Sequence, residues 1–295
     1  MHSEGWTKFE FTARDGLRLA GRRYGWENRD RLAVVCLPGL SRNAADFHGL
    51  ALHLTAGGRN GRRVLCLDYR GRGMSQYDRD WRNYNPITEA EDVVDAVVAT
   101  GLDHVCIVGT SRGGLIAMIL GAMRPAMLKA AVLNDIGPQI DGRGLIRIKN
   151  QLAGLRLPES FAAAAANLKQ ASGHQFTAWN DDDWLAQARI IYAEDKGRLI
   201  PRFDPALLKT LTAINLDEPL PAMWPQFAGL ARLPLMLVRG ENTDIISQET
   251  VDAMTQMHPS MERVDVPGQG HAPDLGMAGL PEAIGDFVDR AERAG

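Results

Sequence analysis

Four short apolar runs dominate the first half of this chain, and each is ended by a turn and followed by a segment of helical period. They are "RLAVVCLPG", "RRVLCLDYRGRG", "HVCIVGTS" and "LKAAVLNDIGP". Runs of this length without polar alternation are strands covered on both faces. The segments after the first three, "ADFHGLALHLTAG", "ITEAEDVVDAVVATG" and "RGGLIAMILGAMRP", carry apolar residues at helical spacing. The first closes at Gly57-Gly58, and the second has Thr88 and Glu91 placed as a capping box. Strands and helices alternating in this way build parallel crossover units and a sheet with helices on both faces. Ahead of them, "KFEFTAR" and "LRLAGRRYGW" flank Asp15-Gly16 as a hairpin.

The rhythm breaks after Pro138. Five helical patterns follow: "GLIRIKNQLAG", "ESFAAAAANLKQA", "DDDWLAQARIIYAED", "DPALLKTLTAI" and "PAMWPQFAGL". They are separated by the turn-rich segments "GLRLPES" and "INLDEPLPA". Sheet patterns return in "LPLMLVRGEN" and "MERVDVPGQG", with helices "QETVDAMTQM" and "LPEAIGDFVDRAER". The expected organisation is an α/β core over 1–138 and 229–295 with a helical cap over 139–228. The cap leaves and re-enters at the carboxyl ends of strands, where open α/β sheets bind ligands. It therefore reads as a lid.

Composition closes off other classes. A net charge of −3 supplies no basic field for nucleic acid or an anionic membrane. The arginine clusters "GRNGRR" and "RLAGRR" are short and read as solvated loops. The amino terminus lacks a basic-then-apolar leader pattern, and no apolar run approaches bilayer length. Cys36, Cys66 and Cys106 lie inside apolar strand runs with no metal-ligand spacing, and read as buried thiols in a reducing compartment. A cytoplasmic enzyme is the expectation.

The stretch "VGTSRGGLIAM" places Ser111 between Gly109 and Gly113, at the junction of a strand and a helix. This G-x-S-x-G pattern is that of a nucleophile elbow, in which glycines at ±2 let a strained turn close. A serine capping a helix would read similarly, so the company it keeps decides. A hydroxyl needs a base and an acid to act as a nucleophile. Three histidines follow Ser111, and His271 in "PGQGHAPDL" sits in a loop after the last strand. His258 lies at a helix end and His174 inside the cap. For the acid, Asp244 in "RGENTDIIS" is preferred, pinned by Ile245-Ile246; Asp135 in "LNDIGP" is second, and Glu241 less suited. Backbone donors for an oxyanion would be the N–H groups of Arg112 and Leu40, since Pro38 has none.

With "LPGLSRNAADF", "DYRGRGMS", "VGTSRGG", "RGENTD" and "GHAP" in this order, the whole chain resembles the α/β-hydrolase superfamily. Within it the nearest likeness is to bacterial lidded carboxylesterases, lactonases and meta-cleavage C–C hydrolases. The resemblance implies an eight-stranded, mostly parallel sheet and a Ser111-Asp244-His271 triad acting without cofactor or metal. Pro38-Gly39 replaces the His-Gly common in that oxyanion loop, and Arg112 stands where many relatives carry an apolar or amide residue. A serine rather than an aspartate at the elbow argues against dehalogenase and epoxide hydrolase chemistry.

The expected partner is a small-molecule ester or lactone, with C–C bond hydrolysis and a non-hydrolytic receptor as alternatives. Neither nucleic acid nor membrane is expected, and homodimerisation is left open. Arg112 reads as a brace paired with Asp135 or Asp68, or as an anchor for an anionic substrate. Trp179, Trp184 and Trp224 are candidates to line the site, though helical spacing favours packing. "NDDDW" reads as helix-start acids and not a metal site, and "DYRGRGMS" as a structural turn without the parts of a phosphate loop.

Overall fold

The computed structural model describes residues 5–57, 61–154, 157–214, 220–277 and 279–294. Gly58 and parts of the segments 154–160 and 214–222 lie outside the described residues. The hairpin comes first, as β1 (Thr7–Thr12) and β2 (Arg18–Tyr24). Gly16 takes φ +87° in its turn, a conformation open to glycine. "RLAGRR" is part of β2, as the hairpin pattern predicts and not the solvated loop its charge suggests, with Arg22 over the Trp6 ring and Arg23 over Phe9. Arg62 of "GRNGRR" is buried against Asp289 and Glu292.

The alternation then runs β3 (Ala33–Leu37), α1 (His48–Thr55), β4 (Val64–Asp68), α2 (Pro86–Ala99), β5 (Val105–Thr110), α3 (Arg112–Met123) and β6 (Leu128–Asn134). After the insertion come β9 (Leu235–Gly240), α9 (Gln248–Met257), β10 (Glu262–Val266) and α10 (Leu280–Ala294). The eight core strands form one sheet in the order β1-β2-β4-β3-β5-β6-β9-β10. β1 and β2 are antiparallel, and β4 onward is parallel. This is the α/β hydrolase fold.

The apolar runs carry no alternation because both faces are covered. Val35, Leu37, Leu65, Leu67, Ile107 and Leu133 enter the core built with α2, α3 and α9. Val34, Cys36, Val64, Cys66, Cys106 and Val108 enter the core built with α1 and α10. All three cysteines are buried free thiols, and burial pushes Cys106 up to about 12. One expected local device differs. α2 starts at Pro86, and Asn85 caps it through the amides of Ile87 and Thr88, so Thr88 and Glu91 form no capping box. Proline at the first helical position moves the start upstream.

The insertion contains α4 (Gly142–Ala153), α5 (Phe161–Ser172), α6 (Asp181–Ile191), α7 (Leu208–Thr212) and α8 (Trp224–Ala228). It also contains a hairpin, β7 (Tyr192–Asp195) and β8 (Arg198–Pro201), whose first strand falls inside the expected helical run "DDDWLAQARIIYAED". The turn Lys196-Gly197, with both φ positive, ends the helical pattern. Phe227 of α8 and nearby Leu230 belong to the main core, and Leu230 lies against Gly121 of α3. Asn180 and Asp183 close a capping box on α6, so the acidic run serves a helix start. No described helix is long and apolar enough to cross a membrane.

The tightest point of the core is where the β5–α3 turn passes under β3. A Cβ on Gly113 would stand 2.1 Å from the Leu37 carbonyl oxygen, which is backbone and cannot swing away. Gly142, at the start of α4, has nothing within 4 Å of a Cβ and no positive φ. Gly113→Ala is therefore expected to cost about 3 kcal/mol, whereas Gly142→Ala stabilises by about 0.5 kcal/mol through the unfolded chain. Urea denaturation of the two variants checks the contrast.

Candidate active site

Ser111 stands between β5 and α3 with φ 51° and ψ −111°, outside the favoured regions for an L-residue. Its amide donates to the Asn134 carbonyl at 2.9 Å, and its carbonyl accepts from Gly114 N–H, also at 2.9 Å. A Cβ on Gly109 would meet the Gly113 carbonyl at 2.4 Å, so both glycines of the motif are sterically required. Strain of this kind persists only where the surroundings over-determine it.

His271 lies in the loop after β10, and that loop is tied to the β9 loop. Asn242 N–H donates to the Gln269 carbonyl at 2.9 Å, and Glu241 accepts from Gly268 N–H at 2.7 Å. The Ser111 hydroxyl lies 2.8 Å from His271 Nε2, and His271 Nδ1 lies 2.8 Å from Asp135 Oδ2. A carboxylate facing Nδ1 places the ring proton there and leaves Nε2 to accept from the hydroxyl. The remaining late histidines are elsewhere: His258 Nε2 is 2.9 Å from the Leu233 carbonyl, and His174 is exposed.

The acid facing His271 is Asp135, not the expected Asp244. Asp135 directly follows β6, next to β5 in the sheet, and is fully buried with φ 56°. Its Oδ1 accepts from Gly240 N–H at 2.9 Å, and Oδ2 from the Thr243 hydroxyl at 2.6 Å as well as from His271. Asp244 follows β9, one strand further out, and its carboxylate is turned to the insertion. Arg147 of α4 holds it with two hydrogen bonds of 2.6 and 2.7 Å. Burial raises the Asp244 carboxyl, but the Arg147 bonds and charge outweigh that and leave it below its ordinary value. Ile245 and Ile246 are buried as expected, yet pinning them does not aim the carboxylate at His271.

Ser111 and His271 open on a cavity of about 640 Å³. Its core side includes Gly39, Leu40, Phe47 and Thr110, and its insertion side includes Arg147, Gln151, Asn167, Trp179, Trp184 and Gln187. The insertion thus closes over the serine. Trp179 and Trp184 pack edge-on with centroids 4.7 Å apart, so they form the wall and the insertion's own core together. Trp224 is not in the wall; it meets Phe227 edge-on against the main core.

The Arg112 side chain is committed to a buried ion pair. Its guanidinium lies outside the cavity lining, with Nε donating to Glu89 at 2.7 Å and Nη2 to the Tyr84 carbonyl at 2.9 Å. The brace partner is therefore Glu89 and not Asp135 or Asp68. Asp68 instead accepts from the amides of Ala44 at 2.7 Å and Met74 at 3.0 Å. Burial outweighs those two bonds and leaves its carboxyl raised to about 6. Leu40 lines the cavity beside Ser111, and the Gly39–Leu40 peptide is held by Arg42 N–H on the Gly39 carbonyl at 3.2 Å. At the first position of α3 the Arg112 N–H has no acceptor within the helix. "DYRGRGMS" is a structural turn, with Arg70 buried against Asp92, Asp15 and Asp78.

Two wall features carry no direct signal in the sequence. Arg42 pairs with Asp46 and reaches Gln187, and Asp274 accepts from Gln187 at 3.3 Å. Burial, opposed by the Gly276 amide and Arg42, raises the Asp274 carboxyl. These contacts join residues 42–46, the insertion and the His271 loop, a juxtaposition no local pattern encodes.

A family model described as the alpha/beta hydrolase family matches residues 34–282. The 3-hydroxybutyrate-oligomer hydrolase of Cupriavidus necator is 30% identical over 267 residues, covering 87% of each chain. The 2-(acetamidomethylene)succinate hydrolase of Mesorhizobium japonicum is 24% identical over 258 residues, 85% of this chain and 86% of that one. The crystal structure of an alpha/beta hydrolase from Novosphingobium aromaticivorans superposes with a TM-score of 0.87 at 37% identity, covering 98% and 99% of the two chains. On its sheet, its elbow and these matches, the chain belongs to the alpha/beta hydrolase family.

Proposed function

We propose that this protein is a serine ester hydrolase that works through an acyl-enzyme, with Ser111 as nucleophile, His271 as base and then acid, and Asp135 as the orienting carboxylate. The observation that carries the reading is the continuous relay Ser111–His271–Asp135, 2.8 Å at each step, opening into a 640 Å³ cavity. Ser111 Oγ attacks the ester carbonyl carbon as its proton passes to His271 Nε2. The tetrahedral oxyanion is received by the N–H groups of Leu40 and Arg112. Collapse expels the alkoxide, protonated by His271, and water repeats the cycle on the acyl-serine. The buried Asp135 carboxylate stabilises the imidazolium formed at each step.

The substrate class is a short ester of a hydroxy acid, the dimer or trimer scale of an oligoester. The Cupriavidus relative is named for cleaving 3-hydroxybutyrate oligomers. The wall here suits such a molecule, since Asn150, Asn167 and Gln170 supply neutral amide donors along the insertion for successive ester carbonyls. Aromatic Phe47, Phe176 and Trp179 supply apolar surface for methyl branches. C–C bond hydrolysis loses the support first given it, because Arg112 is committed to Glu89 and does not face the cavity.

Hydrolysis of p-nitrophenyl butyrate and of 3-hydroxybutyrate dimer and trimer tests the reading. Ser111→Ala is expected to abolish turnover of all three, and inertness of the wild type would favour a receptor. Asp135→Asn is expected to lower kcat about 10³- to 10⁴-fold by reversing the tautomer demanded of His271. Asp244→Asn is expected to stay within about tenfold, because it breaks only the Arg147 clasp. The reverse ranking of those two variants would return the acid role to Asp244.

A further inference from the structure

Leu40 and Arg112 lie on separate chain segments, one after β3 and the other opening α3, yet a single buried carboxylate ties them together. Glu89, in the first turn of α2, has no solvent exposure. Its Oε2 accepts from Arg112 Nε at 2.7 Å, and its Oε1 pairs with Arg72 Nη1 at 2.9 Å. Arg72 is also wholly buried, and its Nε donates to the Leu40 carbonyl at 2.8 Å. A second donation goes to the Arg70 carbonyl at 2.6 Å, and the guanidinium lies 5.2 Å from the Tyr84 ring and 5.6 Å from the Tyr69 ring. Both carbonyls flanking the Leu40 position are therefore fixed, Gly39 by Arg42 N–H and Leu40 by Arg72.

We propose that Arg72, Glu89 and Arg112 form a buried yoke that sets the spacing of the two oxyanion donors, which makes Arg72 and Glu89 positioning residues for the reaction. This rests on the ester-hydrolase reading above. Stability alone is a poor reason for such a triad, since buried ion networks are often replaced by apolar side chains without loss. Oxyanion donors, by contrast, must stand within a few tenths of an ångström of the developing charge. A 1 Å error in reacting geometry costs roughly 100-fold. Burial draws the Arg72 proton affinity down, and neighbouring Arg112 adds to that, while Glu89 opposes both.

Two variants separate positioning from bracing. Arg72→Lys keeps the charge but has no planar fork to reach the Leu40 carbonyl and Glu89 together. The triple variant R72M/E89L/R112M removes every charge of the yoke, leaves none uncompensated, and retains the Arg112 backbone N–H. With p-nitrophenyl butyrate, both are expected to lose about 10- to 100-fold in kcat with KM within about twofold. The inhibition constant of butaneboronic acid, whose serine adduct occupies the oxyanion position, should rise by the same factor. Thermal unfolding of the triple variant should remain cooperative. Activity retained within threefold overturns the proposal, as does a loss confined to KM with boronate affinity unchanged. Failure of both variants to fold also overturns it and leaves the triad a brace. An inert wild type, or a fully active Ser111→Ala, would instead sink the hydrolase reading itself.

Discussion

The contact on which the site depends is between two backbones, not two side chains. α3 approaches β3 so closely that Gly113 has no room for a Cβ against the Leu37 carbonyl oxygen, and Gly109 none against Gly113. That approach forces the strand-to-helix turn into the φ 51°, ψ −111° conformation of Ser111. The hydroxyl is then left at the cavity floor, just ahead of the first residue of α3. A residue in such a conformation costs on the order of 1–3 kcal/mol. It is held by a sheet buried on both faces, whose strands β3 and β4 are covered at every position and β5, β6 and β9 at all but one. The two-sided core and the strained serine are therefore one construction.

Most of the sheet was legible because its physics is local. An apolar run such as "AVVCL" can only be a strand covered on both sides once a helix follows within a few residues. Ser111 and His271 were legible for a related reason: glycine spacing and a loop after the last strand leave few alternatives. The acid was harder. Asp135 and Asp244 each follow a strand, each precedes isoleucine, and chain order admits both. What separates them is which neighbouring strand lies beside β5, a matter of sheet order, and which carboxylate meets Arg147 from α4. Neither is written in a window of sequence. The β7–β8 hairpin was missed because "ARIIYAED" keeps helical spacing up to a turn whose positive φ at Lys196 no propensity announces. Trp224 was misplaced because an aromatic on a short helix packs as readily inward on α3 as outward to a cavity.

The change of acid position alters what the β9 loop does. At Asp135 the carboxylate is wholly buried and surrounded by donors from Gly240, Thr243 and His271. Asp244 is left half-buried and available to a partner from outside the core, and Arg147 takes it in a two-point contact. Arg147 also donates to Gln151, which in turn reaches Ser172 on α5. A loop that could have supplied chemistry instead fastens the insertion to the core. A bidentate arginine–carboxylate contact fixes orientation as well as distance, so the wall over Ser111 is set from the same loop whose Thr243 hydroxyl supports Asp135.

Charge is arranged by the same economy of position. The cations lining the cavity, Arg42 and Arg147, are each held by a carboxylate, Asp46 for one and Asp244 for the other. Asp274 adds a further acid to the wall, with its carboxyl pushed upward by burial. Among the described residues, such a cavity offers no unneutralised cation to attract an anion, and its selectivity then rests on shape and on neutral donors and acceptors. Behind the serine the balance is reversed: Arg72 and Arg112 share the one carboxylate of Glu89. Substrate therefore enters a space that is polar but not attractive to charge, while the guanidinium groups are kept beneath the floor. In the proposed reaction they act on the reacting oxygen only through the backbone they hold. On the hydrolase reading proposed above, separating binding from charge stabilisation in this way favours the transition state over the bound substrate, which is the condition for raising kcat and not merely affinity.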